Sequence, residues 1–229
     1  MSETERIARA YRELREHSGR WDSRNPGNQA IVAERRRLTL RCLEDEGFLP
    51  LGERDVLEVG SGTGGELAWL RKLGASTSRL VGVDLLPDRV AEAKRSFPEL
   101  EFRIGNAEQL TFPDASFDLV LAITVFSSIF DTGMARRVAG EIVRVMRPGG
   151  GLLWYDFRYN SPANRNVRGV GAARVRELFP TLTGRLTSLT LLPPLARRLG
   201  PVVRVGYPVL SSLPPLRSHL LGVLRKPRG

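Results

Sequence analysis

A glycine-rich turn preceded by one carboxylate and followed by another is the stretch of this chain best suited to bind a ligand. Residues 56–65 read Val-Leu-Glu-Val-Gly-Ser-Gly-Thr-Gly-Gly. This pattern predicts a buried strand, Asp55 to Val59, that turns into a helix near Gly65. Glycine permits the tight turn and lets a ligand approach the backbone, and the helix directs free N–H groups to the same place. We therefore expect a polar cofactor at this turn.

The glycine spacing alone leaves the class of cofactor open. Gly60, Gly62 and Gly65 fit the dinucleotide pattern G-x-G-x-x-G, whereas Gly60, Gly62 and Gly64 fit the tighter pattern G-x-G-x-G. Glu58 stands two residues before the first glycine. A dinucleotide site does not need an acid there, but a ligand that carries an ammonium group does.

A second carboxylate, Asp84, ends the next apolar run, Leu80-Val81-Gly82-Val83. A carboxylate at the end of a strand can accept hydrogen bonds from both hydroxyls of a ribose. Asp84 therefore predicts a nucleoside, without deciding which one.

Further blocks follow these residues in a characteristic order. They read Leu-Glu-Val-Gly-Ser-Gly-Thr-Gly at 57–64, Val-Gly-Val-Asp at 81–84, Gly-Asn-Ala-Glu at 105–108, Phe-Asp-Leu-Val at 117–120 and Arg-Pro-Gly-Gly at 147–150. In order and spacing they resemble the class I S-adenosylmethionine-dependent methyltransferases, over roughly Asp55 to Phe157. The resemblance implies S-adenosylmethionine as cofactor and S-adenosylhomocysteine as product. It also implies an α/β fold, a Rossmann-like seven-stranded and mostly parallel sheet with a reversed terminal strand, helices on both faces and an N-terminal helical lid.

The resemblance also implies a set of cofactor-binding residues. They are Glu58, Gly60, Ser61, Gly62, Gly64, Asp84, Leu85, Asn106, Ala107 and Ile123. Related methyltransferases often carry an acid at the position of Asn106, where it accepts from the amine of adenine. The amide oxygen of Asn106 can also accept, but without charge assistance. The backbone N–H of Ala107 can reach a ring nitrogen of adenine.

The chain divides into an N-terminal segment, 1–50, and a core, 51–229, within a single domain. Its length suits one sizeable core, and alternating strand and helix patterns from residue 55 predict a mainly parallel sheet. Two helices are expected ahead of it, 3–17 and 29–46, joined by a turn-rich linker, 21–28. In the family that the core resembles, such segments fold over the cofactor. The candidates for this lid are Tyr11, His17, Trp21 and Arg24, although Trp21 could instead pack the helix pair against the sheet.

The acceptor half of the site is less well defined. Many family members that act on small molecules carry histidines after the fourth strand, Phe117 to Ile123, where this chain has Ser127 and Ser128. This substitution removes the simplest general base. Asp156, at the end of the fifth strand, is the first candidate for a base or for a group that orients the acceptor, unless it pairs with Arg158. His17 is the second catalytic candidate, and the substrate-binding candidates are Trp21, Ser127, Tyr155 and Arg158.

Positive charge is concentrated in the last third of the chain. From Arg158 to Gly229 there are 12 Arg and one Lys against a single acid, Glu177, so this part has a net charge of +12. Residues 1–157 have a net charge of −2, which gives +10 for the whole chain. Such asymmetry indicates an anionic partner or a solvated arginine-rich surface. Residues 158–218 are expected to contain a basic insertion that faces the substrate or a membrane surface, because arginines alternate with leucines there.

Composition excludes several classes of protein. A single cysteine, Cys42, excludes an internal disulfide, and the few soft ligands, including His17 and His219, do not cluster into a metal site. We expect no metal and read His219 as structural. The N-terminus is charged from Glu3 onward, and no uninterrupted span of about 18 apolar residues follows, so a cytoplasmic protein is expected.

The favoured function is methyl transfer to a small-molecule acceptor or one linked to a lipid or sugar, as in natural product or polysaccharide biosynthesis. A hydroxyl is the favoured acceptor group, on a molecule with an anionic part. Nucleic-acid methylation is permitted by the charge, but no Asn/Asp-Pro-Pro-Tyr/Phe tetrapeptide follows the fourth strand. A nicotinamide dehydrogenase fits only the stretch Gly60 to Gly65. A non-catalytic regulatory module that binds the cofactor would explain Asn106 and the missing histidines.

Overall fold

Strands and helices alternate along most of the chain, within residues 2–16, 22–160 and 164–228, which the computed structural model describes. The helices are α1 Glu3–Glu16, α2 Pro26–Asp45, α3 Gly65–Lys72, α4 Pro87–Ser96, α5 Thr132–Val145, α6 Ala172–Leu178, α7 Pro193–Arg198 and α8 Val203–Ser211. The strands are β1 Val56–Val59, β2 Leu80–Asp84, β3 Glu101–Ile104, β4 Phe117–Ile123, β5 Met146–Phe157, β6 Thr187–Leu191 and β7 Arg217–Arg225.

The strands form one seven-stranded sheet in the order β3-β2-β1-β4-β5-β7-β6. Neighbours from β3 to β5 pair in parallel, whereas β7 is antiparallel to both β5 and β6. This arrangement confirms the predicted fold class. The chain passes from one side of β1 to the other between β3 and β4, and a crevice opens at such a point above the carboxyl ends of the strands.

Helices cover both faces of the sheet, because strands buried on both sides must be shielded from water on both sides. One core contains Val138 and Ile142 of α5, Val175 of α6 and Ile7 of α1. The core on the opposite face contains residues of α2, α3 and α4. Successive side chains of each strand point to opposite faces of the sheet, so the position of a residue in its strand determines which helices it contacts.

Two element boundaries differ from the predictions. Helix α2 begins at Pro26, so the expected linker 21–28 ends earlier than predicted. Asn25 explains this start, since its side chain accepts from the N–H groups of Gly27 and Asn28 at 2.9 and 3.3 Å, and proline is favoured at the first helical position.

The segment 147–150, predicted as a turn before the fifth strand, lies inside β5. The strand register shifts there, because Met146 pairs with Phe117 and Gly151 pairs with Leu119. The backbone of Lys226 bonds both to Gly149 N–H and to the Gly150 carbonyl, which holds the segment against the extension of β7.

Residues 193–216 carry α7 and α8 and lie within the segment 158–218, where a basic insertion is expected. They leave the sheet at the end of β6 and return at the start of the antiparallel β7, so the insertion lies at the carboxyl edge of the parallel strands. A third apolar cluster of Ile31, Leu191, Ala196 and Tyr207 joins it to α2. Among the described residues, no helix combines the length and apolar character needed to cross a membrane.

Candidate functional site

The glycine turn after β1 is shaped by neighbours that leave no room for side chains. Gly60 and Gly62 have φ values of 69° and 56°, in the left-handed region that favours glycine. A Cβ atom on Gly60 would lie 2.9 Å from Cγ2 of Val125, and one on Gly62 would lie 2.5 Å from Nη2 of Arg89. The turn therefore presents bare backbone to the crevice between β1 and β4.

Asp84 ties this turn to the end of β2. Its Oδ2 accepts from the backbone N–H of Gly62 at 2.7 Å, and its Oδ1 accepts from that of Leu86 at 2.9 Å. The carboxylate is buried, and each oxygen has a second lone pair. Asp84 can thus hold the turn and still accept from a diol placed above it.

Glu58 is buried in β1 on the face that packs against α3. Its Oε2 has no hydrogen-bond partner. Burial raises the pKa of this carboxyl well above its usual range, and the nearby carboxylates of Glu66 and Asp84 add to the rise against the opposing charge of Arg35. A buried carboxyl of this kind is stabilised by a cation, so the pocket fits a ligand with an ammonium group.

Asn106 follows β3, and both polar atoms of its side chain are hydrogen-bonded to Glu108. Its Oδ1 accepts from the backbone N–H of Glu108, and its Nδ2 donates to the Glu108 side chain, both at 3.0 Å. Arg137 holds the same carboxylate through Nε at 2.7 Å. Ala107, next in the chain, is half-buried against the first core.

Helix α1 covers the turn from above. The ring of Tyr11 lies 4.9 Å from the guanidinium carbon of Arg89, and its hydroxyl is hydrogen-bonded to Oγ of Ser128 at 3.2 Å. Arg6 donates to the carbonyl of Ser128 and stacks 3.8 Å from the ring centre of Phe130. This helix therefore bridges the start of α4 and the loop after β4, the two rims of the crevice.

Asp156 is fully buried beside the loop that follows β4. Its Oδ2 accepts from the backbone N–H of Ser127 at 3.0 Å and its Oδ1 from that of Phe157 at 2.8 Å. Burial raises its pKa to about 6, although these hydrogen bonds lower it. Both oxygens are used to hold backbone, and neither is paired with Arg158.

Two other residues predicted to contact substrate lie apart from this loop. Tyr155 is buried on the α2 face, where its hydroxyl is 3.0 Å from Oγ1 of Thr190 and its ring stacks on His219. Arg158 lies 5.2 Å from the ring centre of Tyr159. His219 is buried and hydrogen-bonded to Ser218, and burial lowers its pKa to about 3, in keeping with the structural role expected for it.

The structure brings most predicted cofactor residues to one edge. The glycine turn, Asp84 with Leu85, Asn106 with Ala107, and Ile123 lie at the carboxyl ends of four neighbouring strands in the order β3-β2-β1-β4. His17 and Trp21 lie outside the described residues. Within the described part of the chain, no group of acidic, histidine and cysteine side chains could hold a metal ion.

Comparison with known proteins agrees with this geometry. A family profile described as a methyltransferase domain matches residues 57–154, from the first strand of the crevice to the middle of β5. This stretch of the chain is similar to a methyltransferase domain. The resemblance carried by the five sequence blocks is thereby confirmed.

Relatives of this methyltransferase domain include a phthiotriol/phenolphthiotriol dimycocerosates methyltransferase of Mycobacterium tuberculosis, 35% identical over 130 residues, which are 56% of this chain and 47% of that protein. A demethylmenaquinone methyltransferase of Beutenbergia cavernae is 39% identical over 122 residues, 53% of this chain and 46% of the relative. The chain thus spans about half the length of these relatives. The S-adenosylmethionine-dependent methyltransferase of Mesorhizobium loti shares the fold, with a TM-score of 0.62 at 16% identity, over 81% of this chain and 96% of that one.

Sequence reasoning missed two contacts of this methyltransferase domain. Arg89 was not among the predicted site residues, although it stands in the first turn of a helix that starts right after Asp84, and such a turn lies next to the strand end. The bonds of Arg35 and Arg36 to Glu66 were missed as well. They connect α2 with the start of α3, just behind the glycine turn.

Proposed function

We propose that this chain transfers the methyl group of S-adenosylmethionine to a hydroxyl of a small-molecule or lipid-linked acceptor. The observation that carries the proposal is the buried, unpartnered Oε2 of Glu58 beside a glycine turn that is anchored to Asp84. A nucleoside with an ammonium group satisfies both carboxylates at once. A nicotinamide dinucleotide would leave the Glu58 carboxyl without a cation.

Nine of the ten residues predicted to bind the cofactor have a role in this proposal. The backbone of Gly60 to Gly64 lies against the cofactor, Glu58 receives its ammonium group and Asp84 accepts from its ribose. Leu85, Ala107 and Ile123 line the nucleoside, with the backbone N–H of Ala107 next to adenine. The side chain of Ser61 is buried, so its backbone alone takes part.

Bound S-adenosylmethionine would supply a sulfonium-activated methyl group. Because that group is already reactive, the task of the protein is to align the acceptor and exclude water. Helix α1 closes the site through Tyr11 and Arg6, and we assign the lid function of the N-terminal segment to this helix. Asp156 fits a positioning role, since its two hydrogen bonds fix the loop that carries Ser127 and Ser128 to the rim.

A lipid acceptor is supported by the names of the relatives, which act on phthiotriol/phenolphthiotriol dimycocerosates and on demethylmenaquinone. Loss of the loop histidines does not oppose this class. A dedicated base is required only when the acceptor is protonated and weakly acidic. An aromatic hydroxyl needs less assistance than an aliphatic one, so we favour a phenolic or quinol-type hydroxyl.

Two experiments test the proposal. Calorimetric titration with S-adenosylmethionine, S-adenosylhomocysteine and NADH should show binding of the two sulfur nucleosides alone, lost in Asp84→Ala. Binding of NADH alone, or of none of the three, would contradict it. Release of S-adenosylhomocysteine is then followed with a phenolic lipid, a sugar-linked lipid and RNA as acceptors, and turnover with RNA alone would reassign the acceptor to nucleic acid.

A further inference from the structure

Helix α8 and its flanks carry a strip of exposed apolar side chains. Val202, Val205, Val209 and Leu213 are 62%, 72%, 61% and 50% exposed. Their spacing of three, four and four residues places them along one side of a helical segment. In the described part of the chain, the other exposed large apolar side chains are Val32 and Ile104 alone. A concentration of this kind marks an interaction surface.

The opposite side of α8 is firmly held. Tyr207 is buried, and its hydroxyl donates to Oε2 of Glu34 at 2.8 Å. At the other end of the helix, Arg217 donates to the carbonyls of Ser211 and Ser212 at 2.7 and 3.1 Å. The strip therefore faces outward because the inner side of the helix is fixed by the core.

The charged residues in the part of the chain that carries the strip are all basic. Residues 178–229 contain seven Arg and one Lys and no acid. Arg198, the last residue of α7, and Arg204, in the first turn of α8, are exposed. This charge decides between occupants of the strip. A second copy of the chain would bring two basic surfaces together, and nucleic acid would leave the valines unused.

We propose that the insertion 193–216 docks on an anionic lipid bilayer. The strip enters the boundary between headgroups and acyl chains, and Arg198 and Arg204 contact the headgroups, as in amphipathic segments that lie in the membrane interface. Both properties of the surface, the apolar strip and the cations beside it, are thereby satisfied by one partner.

The place of the insertion in the fold gives the docking a consequence. The insertion lies at the carboxyl edge of the sheet, beyond β5, whereas the candidate nucleoside residues lie at β1, β2 and β3. The bilayer would therefore face the acceptor side of the crevice, and an apolar acceptor could enter from the membrane. This last step rests on the proposed function, but the docking does not.

The test uses the full-length protein and floating vesicles of phosphatidylcholine, with or without an equal share of phosphatidylglycerol. We expect binding to the anionic vesicles alone. The paired changes Val205→Ser/Val209→Ser and Arg198→Glu/Arg204→Glu should each weaken it by about tenfold or more. Lys94→Glu/Arg95→Glu on α4 is the charge-matched control and Val32→Ser on α2 the apolar control, and each should change binding less than about twofold.

Several results would overturn the proposal. They are absence of binding to anionic vesicles, unchanged binding in the strip variant, and an equal loss in the α4 control, which would indicate diffuse charge attraction. A dimer in sedimentation velocity that dissociates in the strip variant would assign the strip to a second copy. Titration of each variant with S-adenosylhomocysteine separates these outcomes from failure of the cofactor site, since the substituted residues lie outside it.

Discussion

The backbone N–H of Gly62 donates to Oδ2 of Asp84 at 2.7 Å, so the glycine turn after β1 is anchored to the end of β2. Oδ1 of the same carboxylate accepts from Leu86 N–H at 2.9 Å. Asp84 thus serves the shape of the turn as well as its proposed ligand. Substitution of Asp84 should therefore affect both the shape of the turn and the binding of the ligand.

Asp84→Asn should weaken binding of S-adenosylhomocysteine by about tenfold, and Asp84→Ala by at least about thirtyfold. An asparagine amide would direct N–H atoms at one of the two backbone donors, and alanine removes both acceptors. Calorimetry measures the affinity and thermal unfolding the stability. Asp88→Asn, an exposed change in the first turn of α4, is the control. Unchanged affinity in Asp84→Ala would contradict the assigned role.

Binding of the cofactor should release a proton from Glu58. Burial raises the pKa of this carboxyl in the free protein, whereas an ammonium ligand selects the ionised form. The association constant should therefore rise with pH, by up to about tenfold per unit, from the ordinary pKa of a glutamate to the raised value. Below that pH range the Glu58 carboxyl is protonated with or without the ligand, so the association constant no longer depends on its ionisation.

Titrations at one pH in phosphate and in Tris detect the proton, because the two buffers differ in heat of ionisation. The wild type should show heats that depend on the buffer, and Glu58→Gln should not. Equal heats in both buffers for the wild type, at a pH inside that range, would show that the ligand does not change the ionisation of Glu58.

Asn106→Asp should weaken binding of the adenosyl group instead of strengthening it. The acid seen at this position in related methyltransferases would here face the carboxylate of Glu108, which now accepts from Nδ2 of Asn106 at 3.0 Å. Two like charges at that distance repel. The double change Asn106→Asp/Glu108→Gln should recover the loss, and calorimetry of the four proteins gives the coupling energy. Tighter binding in the single variant would contradict the proposed geometry.

The sequence predicted the strands and the glycine turn of the candidate cofactor side well, because local spacing determines them. The strand from Phe117 to Ile123 was predicted with both ends correct, since a mainly apolar run of this length bounded by turn residues is typical of a buried strand. The glycine turn followed from local spacing. The strand and the turn are determined by residues that are adjacent in the chain, so both can be inferred from the sequence.

The candidate acceptor side depends on contacts between segments that are far apart in the chain. These contacts could not be inferred from the sequence. Strand alternation separates Tyr155 from Asp156, but does not tell whether a substrate or the amide of Ser127 meets the carboxylate. The position of Arg89 over Gly62 likewise requires the ring of Tyr11 from a helix far away in the chain. Tertiary packing decides such orientations.

Tyr11→Ala should speed the dissociation of S-adenosylhomocysteine several-fold and weaken its binding to a similar extent. The change removes the contact with Arg89 and the hydrogen bond to Ser128, which together hold α1 over the turn. Stopped-flow displacement measures the rate. Arg9→Ala, on the exposed side of α1, should leave it unchanged. Equal dissociation rates in Tyr11→Ala and the wild type would exclude α1 as a lid.

Asp156→Asn distinguishes a positioning role from that of a general base. The amide would direct a donor at one of the backbone N–H groups, so the free energy of unfolding should fall by about 2 kcal/mol. Ser127→Ala keeps the backbone N–H and should change stability less. A base would behave differently, because methyl transfer would be abolished in Asp156→Asn without loss of stability.

The pH dependence of stability tests the same residue. Burial raises the pKa of Asp156 from 3.8 to about 6, so the unfolded chain loses this proton first as the pH rises. The contribution of the protonated carboxyl is complete below pH 3.8 and is lost towards pH 6, by roughly 3 kcal/mol in all. Urea unfolding should therefore show a larger stability difference between wild type and Asp156→Asn at low pH than at neutral pH. A difference that stays constant would mean that the carboxyl ionises at its ordinary pKa and is not enclosed as the structure has it.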